Sequence, residues 1–454
     1  MQKIFHKTNM LDKRAQEKFF LSEEILMENA ARGMADFIKS HAKKDADILF
    51  VCGSGNNGAD GFAAARMLFG AFKVSVLCVY EPKSPLAKLQ FSRLKSLGAK
   101  VVKSLPKSAD IYVDCILGSG QKGSIDADLT KLLANLNTKS GIKIACDIPT
   151  AIYLQTSFRA DFTLCMGALK AVLFEDFAKD FTGEIICCDL GLDRSRFEDK
   201  TDMFLLEKSD LVLPIRERKN ANKGDFGHLT VVSGEKAGAS VLAGLTALSF
   251  GAGLVSLLVK EKLFEFNPSL MQAFSMPPKA TAIIAGMGLG AQKIEFSWFE
   301  NIPFLIDADL CYDKKITKLN TSKCVVTPHP KEFVSLLEIF GFGTQSVDAI
   351  QQNRFFWARE FSRKFKGVLV LKGANTIIAQ DGILYVCPFG SQALAKGGSG
   401  DVLAGVIGAL LAQGHTPLDA AANGVLAHAL AALKFQNNNY ALTPEGLIEE
   451  LKWL

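Results

Sequence analysis

No concentrated run of lysine and arginine exists in this chain; Arg216-Glu217-Arg218-Lys219 is short and broken by an acid. The formal net charge is +5 on 52 basic and 47 acidic side chains. Nucleic-acid binding needs a concentrated basic face, so no such partner is expected, although a mildly positive surface still steers an anionic nucleotide. The ten cysteines include no CxxC pair, and the doublet Cys187-Cys188 is their tightest grouping. Thiols scattered through apolar runs exclude a zinc ribbon and a disulfide framework, and they fit a reducing cytoplasm. The longest apolar stretch, around Val402 to Ala412, falls far short of the ~20 residues that span a bilayer. Met1 to His6 shows no apolar core followed by a cleavage site. A cytoplasmic protein without membrane partners is expected. Repeats of short period and low-complexity segments are missing too.

What is present is a long chain of ordinary globular composition. Its 454 residues, 48% hydrophobic and 22% charged, call for two or three domains. From Asp47 to Asp189 short β-branched runs alternate with helical patterns. Strands are expected at Ile48–Cys52, Val74–Tyr80, Ile111–Cys115, Ile142–Cys146 and Phe162–Met166. Helices are expected from Ser22, as N-cap, to Ile38, from Phe62 to Leu68 and from Leu86 to Leu97. Strand–helix alternation predicts a parallel sheet with ligands at the carboxyl ends of its strands. The charge-rich stretch from Asp193 to Asn222, with Pro214 interrupting an apolar run, breaks the pattern. The boundary is placed near Lys208, giving domains 1–208 and 209–454. A second alternation then starts at Leu229–Val232 and ends in the helices Val402–Leu411 and Leu418–Phe435, with a hairpin turn expected at Gln380-Asp381-Gly382.

In the second half, Gly397-Gly398-Ser399-Gly400-Asp401 runs straight into an apolar helix. Glycines there let backbone N–H groups approach an anion, and the helix dipole favours negative charge. An acid just after the turn is placed to take a proton from a hydroxyl attacking phosphate. Short glycine motifs are promiscuous, and a turn merely capped by Asp401 is the plainer reading. Four further segments accompany it: Lys223–His228, Ile284–Gly290, Thr327–Glu332 and Leu371–Thr376. In this order the set resembles the ribokinase-like superfamily and, more closely, the NAD(P)HX dehydratase family.

That resemblance implies an ADP-dependent (ATP in some members) dehydration of hydrated NADH and NADPH, with phosphate as leaving group. It casts Asp401 as the base on the substrate hydroxyl and Gly398, Ser399 and Gly400 as the cradle of the transferring phosphoryl group. Lys372, Gly373, Ala374, Asn375 and Thr376 would bind the nucleotide, Gly288, Gly290 and His329 would line the dinucleotide pocket, and Mg²⁺ would be the counterion. His329, between two prolines, has the alternative of fixing a turn. His228 is equally readable as structural, and His6, His41, His415 and His428 as surface or packing residues.

In the first half, Cys52 to Gly61 joins a strand to its helix. With Leu26-Met27-Glu28-Asn29-Ala30 upstream and Val113–Gly120, Asp147–Thr150 and Ala160–Thr163 downstream, it resembles the NAD(P)HX epimerase domain. By that resemblance Asn57, Asp114 and Thr150 would offer oxygens to a K⁺ ion, a hard-ligand set. Asn56, Asn57, Gly58, Ala59 and Asp60, with Gly118, Ser119, Gly120, Gln121, Lys122, Gly123 and Ser124, would bind the substrate's phosphates and sugar. Asp147 would contact the hydrated ring as the favoured general acid/base, with Lys170 a second candidate; strand-end capping is the plainer role for Asp114 and Asp147. The chain departs from the family pattern at Ala59 and at Thr150-Ala151, and its stretch from Ile152 to Arg159 is short. An alanine where the backbone needs φ > 0 carries a cost.

The implied architecture is two α/β domains, an N-terminal Rossmann-like α/β/α layer structure with a mostly parallel sheet and a C-terminal ribokinase-like one. The implied enzyme is bifunctional, an isomerase for the two epimers of NADHX and NADPHX and a lyase for one of them, and a homo-oligomer is expected. Rival readings are a small-molecule kinase of the ribokinase-like class, or an active dehydratase carrying a non-catalytic N-terminal module.

Overall fold

The structure, a computed structural model, describes residues 1–121, 123–263 and 267–454. Its contacts divide the chain into Lys3–Thr201 and Asp202–Leu454, the latter joined by Met1–Gln2.

The N-terminal unit is built on a fully parallel sheet. Its strands lie in the order Lys100–Val102, Lys73–Cys78, Asp47–Cys52, Ile111–Cys115, Ile142–Cys146, Phe162–Met166 and Glu184–Cys188. Alternation along a strand explains the two cores. Ile48, Phe50 and Cys52 face one cluster with the helices Glu23–His41 and Asn56–Leu68, whereas Leu49 and Val51 face another with the helix Ala127–Thr138. Ser22 caps its helix as expected, its hydroxyl accepting from the Ile25 N–H at 3.3 Å. The chain order reverses between Asp47–Cys52 and Ile111–Cys115, and such a switch point opens a crevice at the carboxyl ends.

In the C-terminal unit the strands run Met271–Ala273, Leu254–Leu258, His228–Val232, Ala282–Ala285, Phe304–Ile306, Cys324–Val326, Val368–Leu371, Thr376–Gln380, Ile383–Cys387 and Met203–Leu205. All these pairings are parallel except the two made by Thr376–Gln380. The hairpin forms where it was expected: Gln380 pairs Ile383 around Asp381 (φ 50°) and Gly382 (φ 82°), the two left-handed residues of a tight turn. Helices Ala237–Ser249 and Ser399–Ala412 pack together in one core, and a phenylalanine cluster of Phe333, Phe340, Phe361 and Phe365 forms another.

Both glycine turns differ from expectation in the same way. The helices begin earlier, at Asn56 rather than near Phe62 and at Ser399 rather than Val402. Each glycine motif is therefore the first turn of its helix, where backbone N–H groups lack intrahelical partners. No helix among the described residues is long and apolar enough to cross a membrane, and all ten cysteines are free.

Candidate functional sites

At the N-terminal switch point lies a cavity of about 600 Å³, lined by Ser54 to Asn57, Asp60, Ile116 to Gln121, Asp147 and Lys170 among others. Close packing makes its rim. A Cβ on Gly58 would stand 2.1 Å from the Gly53 carbonyl oxygen, and one on Gly53 would stand 2.0 Å from that of Ile116. Only glycine permits that approach, which seats the helix start against the next strand's loop. Gly58 and Ala59 are buried beneath this turn, and neither lines the cavity. Ala59 is helical, with no positive φ, so the departure there carries no strain. Ala151 does adopt φ 62°, a conformation that costs an L-residue about 1–2 kcal/mol. The short loop after it is tied down nonetheless. The Phe158 N–H and the Ser157 hydroxyl both donate to the Thr150 carbonyl, at 3.0 and 3.2 Å.

Asp147 follows the strand Ile142–Cys146 and is itself left-handed, at φ 69°, a strained conformation of the kind that clusters at active sites. Its carboxylate pairs with Lys170 Nζ at 2.5 Å and accepts from the Ser119 N–H at 3.1 Å. Burial opposes ionisation, but the Lys170 charge and these hydrogen bonds overcome it and hold the Asp147 carboxyl below its ordinary value. The same attraction raises Lys170. Both therefore stay charged, an ion pair facing a polar cavity.

Beside them, the fully buried Asp114 accepts from the Thr150 hydroxyl at 2.7 Å, the Thr150 N–H at 2.8 Å and the Ile116 N–H at 3.1 Å. No cationic side chain pairs with it among the described residues, and burial pushes it up to about 6. Asn57 lies near Asp147 across Gly118, whose added Cβ would be 3.2 Å from both Asn57 Oδ1 and Asp147 Oδ2, whereas Asp114 and Thr150 do not line the cavity. Asn57 Nδ2 is buried without a hydrogen-bond partner. Gly118, Ser119, Gly120 and Gln121 line the cavity, Gly123 and Ser124 do not, and Lys122 lies outside the described residues.

At the C-terminal strand ends, Gly398 turns at φ 90° into the helix Ser399–Ala412, so Asp401 sits in its first turn. Burial, with the neighbouring Asp307 charge, pushes the Asp401 carboxyl up to about 6 against the opposing pull of Lys372. Lys372 Nζ pairs with Asp307 at 2.7 Å and reaches Glu332 at 3.8 Å. A Cβ on Gly400 would stand 3.6 Å from Lys372 Nζ and 3.8 Å from Asp307 Oδ2. The glycine turn and the Lys372 loop thus meet, with Asp307 and Glu332 beside them.

His329 takes the turn-fixing role, as the cap of the next helix. Its Nδ1 accepts from the Lys331 and Glu332 N–H groups, capping the helix Pro330–Ile339, while Nε2 faces Glu332 at 3.2 Å. Burial, and then Lys372, lower its affinity for a proton. Gly288 and Gly290 hold positive φ against the loop at Glu235-Lys236, with the Gly290 N–H donating to Asp309 at 2.9 Å. The stretch from Lys372 to Thr376 is anchored from below. Fully buried Arg354 donates to the carbonyls of Leu371, Lys372 and Asn375 at 3.0–3.1 Å. His228 bonds Ser256 across the sheet, a structural role.

Several site residues escaped sequence reasoning. Asp307 directly follows the strand Phe304–Ile306, and a carboxylate at a strand's carboxyl end was a usable signal. Arg354 gave none. His428, read as surface or packing, is buried with Nε2 3.0 Å from the Ser399 carbonyl, and burial drives it down to about 4. It packs, but against the Gly397–Asp401 turn itself.

Two α/β units with mostly parallel sheets, each with a glycine-rich helix start beside carboxylates at its strand ends, define a two-site nucleotide-handling enzyme of the α/β class. Residues 229–452 match the family described as NAD(P)H-hydrate dehydratase, and residues 23–172 the one described as YjeF-related protein N-terminus. The chain is 45% identical to the bifunctional NAD(P)H-hydrate repair enzyme Nnr of Helicobacter pylori over all of both chains. It is 34% identical to the enzyme of the same name from Escherichia coli, over 85% of this chain and 80% of that one. A solved ADP/ATP-dependent NAD(P)H-hydrate dehydratase from Bacillus subtilis, co-crystallized with ATP and Mg²⁺, is 26% identical, with a TM-score of 0.44, covering 53% of this chain and 92% of that one. The chain belongs to the bifunctional NAD(P)H-hydrate repair enzymes, with an epimerase domain preceding a dehydratase domain. Its membership overturns the small-molecule kinase reading.

Proposed function

We propose that the N-terminal cavity interconverts the epimers of NADHX and NADPHX, and that the C-terminal site dehydrates one of them at the expense of ADP, giving NAD(P)H, AMP and phosphate. The observation that carries this is the meeting of Gly400, Asp401, Asp307 and Lys372 in one place. A hydroxide is a poor leaving group and a phosphate a good one. Asp401 takes the proton of the substrate hydroxyl as it attacks the phosphoryl group. The N–H groups of Gly398 to Gly400 and the Lys372 charge stabilise the transferring oxygens. Mg²⁺ suits hard oxygens, and Asp307, beside the Gly400 turn, is the carboxylate placed to hold it; bound there, it would neutralise phosphate charge.

The N-terminal reading rests on the helix start at Asn56, whose free N–H groups suit pyrophosphate, beside the Asp147–Lys170 pair. The oxygens of Asn57, Asp114 and Thr150 fit K⁺. A buried carboxylate with neutral donors and no cationic partner among the described residues suits a monovalent ion, which would order the loops around the substrate.

Incubating the full chain with an equal mixture of the two epimers of hydrated NADH and excess ADP is expected to recover NADH from the whole mixture, with one AMP and one phosphate per NADH. Recovery stopping at half would leave the dehydratase standing and the N-terminal module non-catalytic. Phosphate transfer without NADH recovery overturns the dehydratase. For the cation, K⁺ replacing choline is expected to raise the thermal unfolding midpoint of the chain, and Asp114→Asn to abolish that rise. An equal rise in the variant rules the site out.

A further inference from the structure

Ahead of the matched epimerase segment, the helix Asn9–Phe19 puts one side chain where the proposed chemistry needs one. Leu11 and Ala15 hold this helix in the core. Thr8, Asp12 and Gln16, at spacing i, i+4, i+8 and hence on one helical face, line the same cavity as Asp147 and Lys170. Asp12 is half-buried, and among the described residues no side chain or backbone N–H hydrogen-bonds its carboxyl. The charged groups that bear on it are Lys170, Asp147, Glu23 and Asp60. Four carboxyls thus crowd one lysine. Lys170 is committed to Asp147 at 2.5 Å, which leaves Asp12 without a matched counterion. Burial, partly offset by Lys170, favours its protonated form.

Epimerisation at a hydroxyl-bearing carbon next to a ring nitrogen needs an acid as well as a base. The C–O bond breaks as the nitrogen lone pair forms C=N⁺, and the leaving oxygen must be protonated to depart as water. Asp147, held as a carboxylate by Lys170, cannot supply that proton readily. It is suited to stabilise the cation and to take a proton from the water that adds to the other face.

We propose that Asp12 is the general acid of the epimerase site, giving its proton to the departing hydroxyl while Asp147 serves as the base. When water has added, Asp12 is a carboxylate and Asp147 carries the proton. Reaction of the opposite epimer with the roles exchanged, or proton exchange with solvent, restores the starting state, so atoms and charge balance. The inference rests on the assignment of this cavity to epimerisation.

The test compares Asp12→Asn, Asp12→Glu and Asp147→Asn in the full chain, following epimer interconversion by NMR and dehydratase turnover on the preferred epimer. Asp12→Asn is expected to lower epimerase kcat by about 10²-fold or more, with KM little changed, the alkaline limb of the kcat–pH profile gone and dehydratase turnover retained. Asp12→Glu is expected to restore part of the rate. A normal kcat with a raised KM would mean that Asp12 only binds substrate, and a normal kcat with the alkaline limb intact would mean that it takes no part; either sinks the proposal. If Asp147→Asn is inactive while Asp12→Asn is not, the site stands and the acid assignment falls. If neither variant changes the rate, both fall.

Discussion

Asp401→Asn is expected to lower ADP-dependent dehydration by about 10²- to 10⁴-fold, the span that a positioned general base contributes, while ADP still binds. The amide keeps the shape of the carboxylate, so the N–H groups of the first helical turn stay in place. What disappears is the acceptor for the substrate's proton. The environment also fixes a pH dependence. Burial and the Asp307 charge push Asp401 up to about 6, and the ionised form is the active one. Wild-type kcat/KM is expected to fall about tenfold per pH unit below about pH 6, and the residual activity of Asp401→Asn to lack that limb. The same shift has a stability counterpart of opposite sense. The folded carboxyl binds its proton more tightly than an unfolded one, whose value is near 3.8. Its contribution is therefore present at low pH and lost as the pH rises through about 6. At pH 8 Asp401→Asn is expected to melt above wild type. Activity and stability measured on the same variant thus move in opposite directions, the pattern of a group kept for chemistry rather than for folding. An unchanged dehydration rate in this variant would remove Asp401 from the mechanism.

Lys170→Met is expected to have the larger structural effect. The side chains of Lys170 and Asp147 are 6% and 11% exposed, and the substitution leaves Asp147 as a buried carboxylate without its countercharge. Breaking such a pair costs about 3–5 kcal/mol, read as a fall in the urea midpoint of the N-terminal transition. Adding Asp147→Asn removes the stranded charge and is expected to restore much of the loss, since replacing both partners is far cheaper than removing one. Neither variant is expected to epimerise. The pair resists acid, because Asp147 lies below its ordinary 3.8 and Lys170 above its ordinary 10.5. On the acid side its contribution is lost as the pH falls through the depressed Asp147 value, below the range in which Asp401 titrates, and on the alkaline side as the pH rises through the raised Lys170 value. A single variant with wild-type stability would show that the pair is held open by water rather than buried.

Much of this was legible in the chain because the relevant signals are local. The strand Ile111–Cys115, apolar but for Asp114 at its carboxyl end, is returned by the structure residue for residue. The hairpin at Asp381-Gly382 follows from a two-residue preference for positive φ. Three-residue strands such as Lys100–Val102 and Met271–Ala273 are too short to show a period, and pairing with neighbours alone makes them strands. The helix Asn9–Phe19 buries only Leu11 and Ala15, so it has no apolar stripe to read. The glycine turns were read as loops because glycine penalises helices in isolation. In the fold, close approach to Ile116 at the first turn and to Pro444 and Leu242 at the second selects glycine and starts both helices early.

Sequence by itself determined that two mostly parallel α/β sheets stand in series, and which loops end at the carboxyl edges of their strands, because burial and turn chemistry are written in consecutive residues. It also determined the family pattern at each site. Tertiary structure alone decided how those groups are charged and what they face. The Lys170–Asp147 ion pair, the Lys372–Asp307 contact, the anchor of Arg354 beneath the Lys372–Thr376 loop and the arrival of Asp12 in the N-terminal cavity each join residues from different elements. A carboxyl's protonation depends on desolvation and on charges a few ångströms away, and neither quantity exists until the strands have brought distant loops together.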